Sequence, residues 1–73
     1  YLDLSYLDFK NVNLKNSNIS FTNLNFTNLE NSNLENCNIK NCELNYTNFY
    51  DCNLKNIDSS YFNSSIQNLK TLL

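Results

Sequence analysis

The sequence predicts an all-β solenoid, a coil of very short extended segments that turns once per five residues. Three observations predict it. Every fifth residue is large and apolar, as Leu4, Phe9, Leu14, Ile19, Leu24, Leu29, Leu34, Ile39, Leu44, Phe49 and Leu54. The residue before each of these centres is Asp or Asn, with Glu43 the one departure. Residues 20 apart also match in kind, so four pentads form a larger unit. A five-residue period suits neither common element. On an α-helix it advances about 500° and scatters the apolar positions, and along a strand it alternates faces. The chain must therefore turn within each pentad to keep one wall of side chains inside.

The column two residues before the centres faces inward with them, because positions two apart on a short strand point the same way. It opens with the bulky Leu2, Leu7 and Val12, and these are expected to plug the first coil. It then narrows to Ser17, Thr22, Thr27, Ser32, Cys37, Cys42, Thr47 and Cys52 before widening again at Ile57 and Phe62, the expected plug of the other end. On the outside, Asn16, Asn36 and Asn56 align at the 20-residue spacing, with Asn11, Asn31 and Asp51 beside them. Lys15, Glu35 and Lys55 alternate in sign, as do Lys10 and Glu30. Aromatic residues form two more columns: Tyr6, Phe26 and Tyr46, continued by Ile66, and Tyr1, Phe21 and Tyr61, interrupted by Asn41. Ser59 and Ser64 replace apolar centres, so regularity is expected to fail near them. Beyond them, Ile66, Leu69 and Leu73 have helical spacing, while Leu69 also continues the pentad register.

Composition sets the bounds. The 73 residues suffice for one domain, near the size at which a single core becomes marginal. Gly, Pro, Ala, Arg, His, Met and Trp are absent, while Asn fills 18 positions. Asn is then the expected turn-former, because it tolerates left-handed backbone better than other non-glycine residues. The same bias fits AT-rich codons, and a low-GC bacterial source is the expectation. The apolar column argues against reading the Asn-rich chain as disordered. A net charge of −2 with five scattered lysines makes no basic patch for nucleic acid. No apolar run approaches membrane-spanning length and nothing resembles a signal peptide. The chain is read as a segment of a longer protein.

Little in the chain suggests chemistry. Cys37, Cys42 and Cys52 match no zinc spacing, lack a His to complete a site, and occupy positions where Ser and Thr also occur. They read as buried thiols used as small apolar residues, and free thiols point to a reducing, cytoplasmic compartment. Asp3, Asp8 and Asp58 hold the position before a centre, where a turn role is the default. No catalytic, cofactor-binding or metal-binding residue is assigned, no cofactor is called for, and the chain is expected not to be an enzyme. The aromatic columns support adjacent coils by stacking or offer a face to a protein partner. The candidate contact residues are Tyr1, Tyr6, Phe21, Phe26, Tyr46, Tyr50 and Tyr61.

A small residue, then Asp or Asn, then Leu or Phe, then two variable residues is the motif of the pentapeptide-repeat family, which this chain resembles from Leu2 to about Leu69. Its lack of Ala at the small position departs from the family pattern. The resemblance implies a right-handed, four-sided parallel β-helix with 20 residues per coil, here about 3.5 coils. The expected repeat domain is 1–65, with 66–73 as a last partial coil or a short helical cap of the kind family members carry. The expected role is a non-enzymatic structural or protein-interaction module that meets a protein partner, or another copy end to end or as a dimer, through its aromatic edge or stacked ends. The alternative that the family implies is a DNA-mimicking regulator or protector of type II topoisomerase (gyrase). That role needs a strongly negative surface, whereas seven acids here face five lysines.

Overall fold

Two local devices bend the pentads of the computed structural model, which describes residues 1–62. The first is a β-turn that starts at each centre. The centre's carbonyl accepts from the N–H three residues on, as from Val12 to Phe9 (3.2 Å), Ser17 to Leu14 (3.1 Å) and Cys37 to Leu34 (2.9 Å). The third residue of each turn has φ between 57° and 66°, at eleven positions from Tyr6 to Asn56, and the second does not. That is the type II pattern, which usually places glycine third. This chain has none, and Asn11, Asn16, Asn31, Asn36, Asn41, Asn56 and Asp51 take the left-handed conformation at low steric cost.

The second device uses the polar residue before the centre. Its side-chain oxygen accepts from the backbone N–H two residues on, for example Lys10 to Asp8, Lys15 to Asn13 and Lys55 to Asn53, each at 3.0 Å. This is an Asx turn, which Asn and Asp close and longer side chains do not. Glu43 shows the limit. With Glu in that position, the Asn45 N–H turns to Asn25 Oδ1 of the preceding coil, at 2.7 Å.

The turns leave extended pieces so short that strand β1 is Leu2–Asp3 and strand β2 is Thr22–Asn23, paired in parallel with Leu2 opposite Thr22. Single-residue parallel bridges repeat the same 20-residue offset, from Asp8–Asn28 to Asn33–Asn53. One hydrogen-bonding rule runs up the stack. Each centre's N–H donates to the carbonyl 19 residues on, as from Leu4 to Asn23 at 2.8 Å and Leu29 to Asn48 at 2.9 Å. In return, Asn28 donates to Leu7 and Asn48 to Thr27. Side-chain ladders follow: Asn36 Nδ2 to Asn16 Oδ1 at 3.0 Å, Asn56 to Asn36 at 2.7 Å, and Lys15 Nζ to Glu35 Oε1 at 3.9 Å. The last is an exposed pair, worth about 0–1 kcal/mol.

Both inward columns are inside. Leu24, Leu29, Leu34, Ile39, Leu44, Phe49 and Leu54 are buried, with Thr22, Thr27, Ser32, Cys37, Thr47 and Cys52 beside them. The first-coil centres Leu4, Phe9, Leu14 and Ile19 are only half-buried within the described residues. The expected plug there does not form. Leu2 and Leu7 are 58% and 45% exposed. The other end differs, since Phe62 meets Phe49 edge-on, with ring centroids 5.3 Å apart, and Ile57 packs beside them. Among the described residues the last left-handed turn is at Asn56, and the expected boundary at residue 65 lies outside them. Ser59–Tyr61 form a 3₁₀ helix, capped by Asp58, whose carboxylate accepts from the Ser60 N–H at 2.9 Å. Ser59 supplies no apolar side chain to hold the pentad register. The expected segment 66–73, with Ile66, lies outside the described residues.

Candidate functional site

Four exposed aromatic side chains, Tyr6, Phe21, Phe26 and Tyr46, stand at left-handed corners. Tyr6, Phe26 and Tyr46 occupy successive turns of one column, and their rings stack, with centroids 4.9 and 5.1 Å apart and planes within 3° and 13°. The 20-residue period sets this up, since neighbouring coils lie about 4.8 Å apart, near the stacking distance of aromatic rings. The three rings remain 73%, 48% and 50% exposed. Their φ values are 63°, 60° and 59°, and Phe21 at the preceding corner of its coil has φ 60°. A left-handed backbone costs an ordinary L-residue about 1–2 kcal/mol, and Asn takes most of the other corners. Sequence reasoning placed these rings in columns but missed their left-handed backbone. The signal was there: they stand in the same pentad position as Asn11, Asn16 and Asn36.

The other candidate contact residues are dispersed. Tyr1 and Phe21 are exposed on the neighbouring column, where Tyr1 donates its hydroxyl to a Glu43 carboxylate oxygen. That bond, followed by loss of solvation at the hydroxyl and the negative charge of Glu43, pushes the Tyr1 phenol up to about 12. Asn25 Nδ2 holds the other Glu43 oxygen at 3.0 Å. Glu43, unable to close an Asx turn, thus ties together a patch of outer surface. Tyr50 is half-buried in the column of Lys10 and Glu30, and Tyr61 lies in the 3₁₀ helix. The aromatic site is therefore the Tyr6–Phe26–Tyr46 ladder, with Phe21 and Tyr1 on the adjacent edge.

The thiols belong to the interior. Cys52 Sγ donates to the Leu29 carbonyl at 2.7 Å and Cys42 Sγ to the Ile19 carbonyl at 3.0 Å. Hydroxyls in the same column do likewise: Thr27 to Leu4 at 2.9 Å, Ser32 to Phe9 at 3.0 Å and Thr47 to Leu24 at 2.8 Å. In each case the donor reaches a carbonyl 23 residues back, so buried polar atoms are paired and Ser, Thr and Cys are interchangeable there. Desolvation pushes Cys37 and Cys52 up to about 11, and raises Cys42 as well. The thiolate is the reactive form, so thiol reagents at pH 7–8 are expected to label the folded chain slowly and the urea-unfolded chain fully. The linkage has a definite sign. Because the folded thiols resist ionisation, stability is complete below the ordinary thiol value of 9.0 and falls as pH rises towards about 11. Fast labelling in the folded state would show an open core.

Among the described residues, no group of three or more Cys, Asp or Glu side chains is placed to hold a metal ion, and no helix is long and apolar enough to cross a membrane. No curated protein and no solved structure matches the chain. The pentapeptide-repeats profile matches in eight copies, over residues 2–25 and 17–56. Most of the chain is thus covered by a motif whose turn, ladder and core positions have each been given a physical role above, and the chain belongs to the pentapeptide-repeat family.

Proposed function

We propose that this chain is a non-enzymatic interaction module: a right-handed, four-sided β-helical rod that meets a protein partner through the Tyr6–Phe26–Tyr46 edge. The observation that carries this reading is an exposed aromatic ladder kept on left-handed backbone. Asn at those corners would relieve about 1–2 kcal/mol of backbone strain each. Two ring stacks return about 0.5–1.5 kcal/mol apiece. Over the three corners the strain is about 3–6 kcal/mol and the stacking about 1–3 kcal/mol, so stability alone gives these corners little reason to be aromatic. Aromatic side chains are, by contrast, the ones enriched where proteins bind one another.

The test separates contact from support. Phe26→Asn is expected to keep the melting temperature within a few degrees of the native chain. A photo-crosslinking amino acid at Tyr46 should capture a partner in cells of the source organism, and Phe26→Asn should abolish that capture. A loss of more than about 3 kcal/mol in Phe26→Asn would instead make the ladder a structural element and sink the reading. The DNA-mimicking alternative draws no support from the charge ladders, in which Lys15 sits against Glu35 rather than in a continuous negative track.

A further inference from the structure

Aromatic corners bracket one side of the rod, and the charge of that side says what kind of partner fits it. Phe21 and Phe26 stand at two successive corners, 55% and 48% exposed, with residues 22–25 between them. Tyr6 and Tyr46 extend the Phe26 wall by one coil in each direction. The floor between the walls is the column Asp3, Asn23 and Glu43, in register through the parallel pairs Asp3–Asn23 and Asn23–Glu43. Asp3 and Glu43 are exposed. Among the described residues, each of the other three sides carries lysine at the same 20-residue register: Lys10 on one, Lys15 and Lys55 on the next, Lys40 on the last. This side has two carboxylates and no lysine. Glu43 is also the one residue of its kind of position that cannot close an Asx turn, and the Asn45 N–H goes to Asn25 Oδ1 instead. Asn there would restore the turn, so backbone stability does not select Glu. Its carboxylate is held by the Tyr1 hydroxyl and by Asn25 Nδ2 at 3.0 Å. A carboxylate accepts about four hydrogen bonds, so capacity for further donors remains.

We infer that this side of the rod docks a basic, extended segment of a partner protein, with Arg or Lys head groups on Asp3 and Glu43 and their stems between the aromatic walls. The inference rests on the reading of the Tyr6–Phe26–Tyr46 edge as a contact face, and it names the chemistry of the partner. Charge complementarity selects the occupant, because the ion pair formed among the described residues, Lys15 with Glu35, lies on another side. Basic side chains suit both parts of the surface, since their aliphatic stems pack on apolar groups while the charged head stays with polar ones. Arginine adds a planar fork that bonds a carboxylate through two parallel N–H donors. Spacing agrees as well. Coils lie about 4.8 Å apart, so Asp3 and Glu43 are about 10 Å apart along the rod. Alternate residues of an extended segment lie about 7 Å apart on one side, and two long basic side chains span the difference. Two carboxylates are too few to stand in for duplex DNA, whose charges recur about every 1.7 Å.

The experiment is calorimetric titration of the 73-residue chain, in low salt, with a capped peptide in which Arg alternates with Thr. Peptides with Glu or Gln in place of Arg serve as controls. The Arg peptide is expected to bind, more weakly as salt rises, and the controls are not. The double variant Asp3→Asn, Glu43→Asn keeps a turn-forming residue at both positions, so its melting temperature should hold or rise. Its affinity for the Arg peptide should fall at least about tenfold, the loss of one charge-assisted contact or more. Glu30→Gln with Glu35→Gln removes as much charge from the other sides and should leave affinity within about twofold. No binding of the Arg peptide, equal binding of the controls, or equal losses in the two double variants would each overturn the inference. If the peptide fails to bind while Tyr46 still captures a partner, the basic segment is ruled out and the contact reading of the edge stands. A strongly destabilised Phe26→Asn sinks that contact reading, and this inference with it.

Discussion

Phe49→Ala is expected to remove a large share of the chain's stability. Phe49 is fully buried in the core and carries the edge-on contact with Phe62. Truncating a buried Phe costs about 3–5 kcal/mol, because the cavity left behind does not collapse fully. A chain of this length has about 4–11 kcal/mol of total stability. The loss therefore takes a large share of what holds the coils together. Urea denaturation followed by circular dichroism should show the midpoint lowered by at least about 1 M, with no folded baseline if the native stability lies at the low end of that range. A midpoint close to that of the native chain would mean that Phe62 and Ile57 move in to fill the space, and that the packing of this end is softer than drawn here.

The second large effect is expected at Asn36, and a pair of substitutions separates its causes. Asn36 has φ 58°, donates to Asn16 at 3.0 Å and accepts from Asn56 at 2.7 Å. Asn36→Val removes both ladder bonds and forces a β-branched residue into left-handed backbone. The first costs about 0.5 kcal/mol per exposed bond and the second about 1–3 kcal/mol. Asn36→Gly removes the same bonds but suits the backbone. The expected result is a loss of about 2–4 kcal/mol for Val and about 1 kcal/mol or less for Gly, read from the urea midpoints. Equal losses would show that the ladder, not the turn, makes Asn the residue for this corner.

These two sites also mark how much was legible in the chain itself. The wall containing Phe49 could be read directly, because an inward position that recurs every five residues imposes a one-dimensional demand that sequence records one residue at a time. The Asn16–Asn36–Asn56 ladder was legible for the same reason at the 20-residue period. Two assignments were harder. Asn residues occupy two positions in the pentad, and only the backbone separates the Asx-turn residues such as Asn33 from the left-handed ones such as Asn36. The aromatic residues read as a ladder, but nothing in residue type alone says that Phe26 stands where glycine would usually stand.

What the sequence determined by itself is the repeat: one turn per pentad, one coil per four pentads, an apolar wall with a small polar or thiol column beside it, and membership of the pentapeptide-repeat family. These follow from periodic local rules, in which each residue answers to its own position in the pentad. What only the tertiary structure decided is which members of the inward column are covered. Leu2, Leu7 and Phe62 stand in the same inward column, yet the first two lie exposed and the third packs on Phe49. Tyr1 reaches a carboxylate 42 residues away. Burial in that column depends on what packs over each position, and that is a property of the stack rather than of any residue in it.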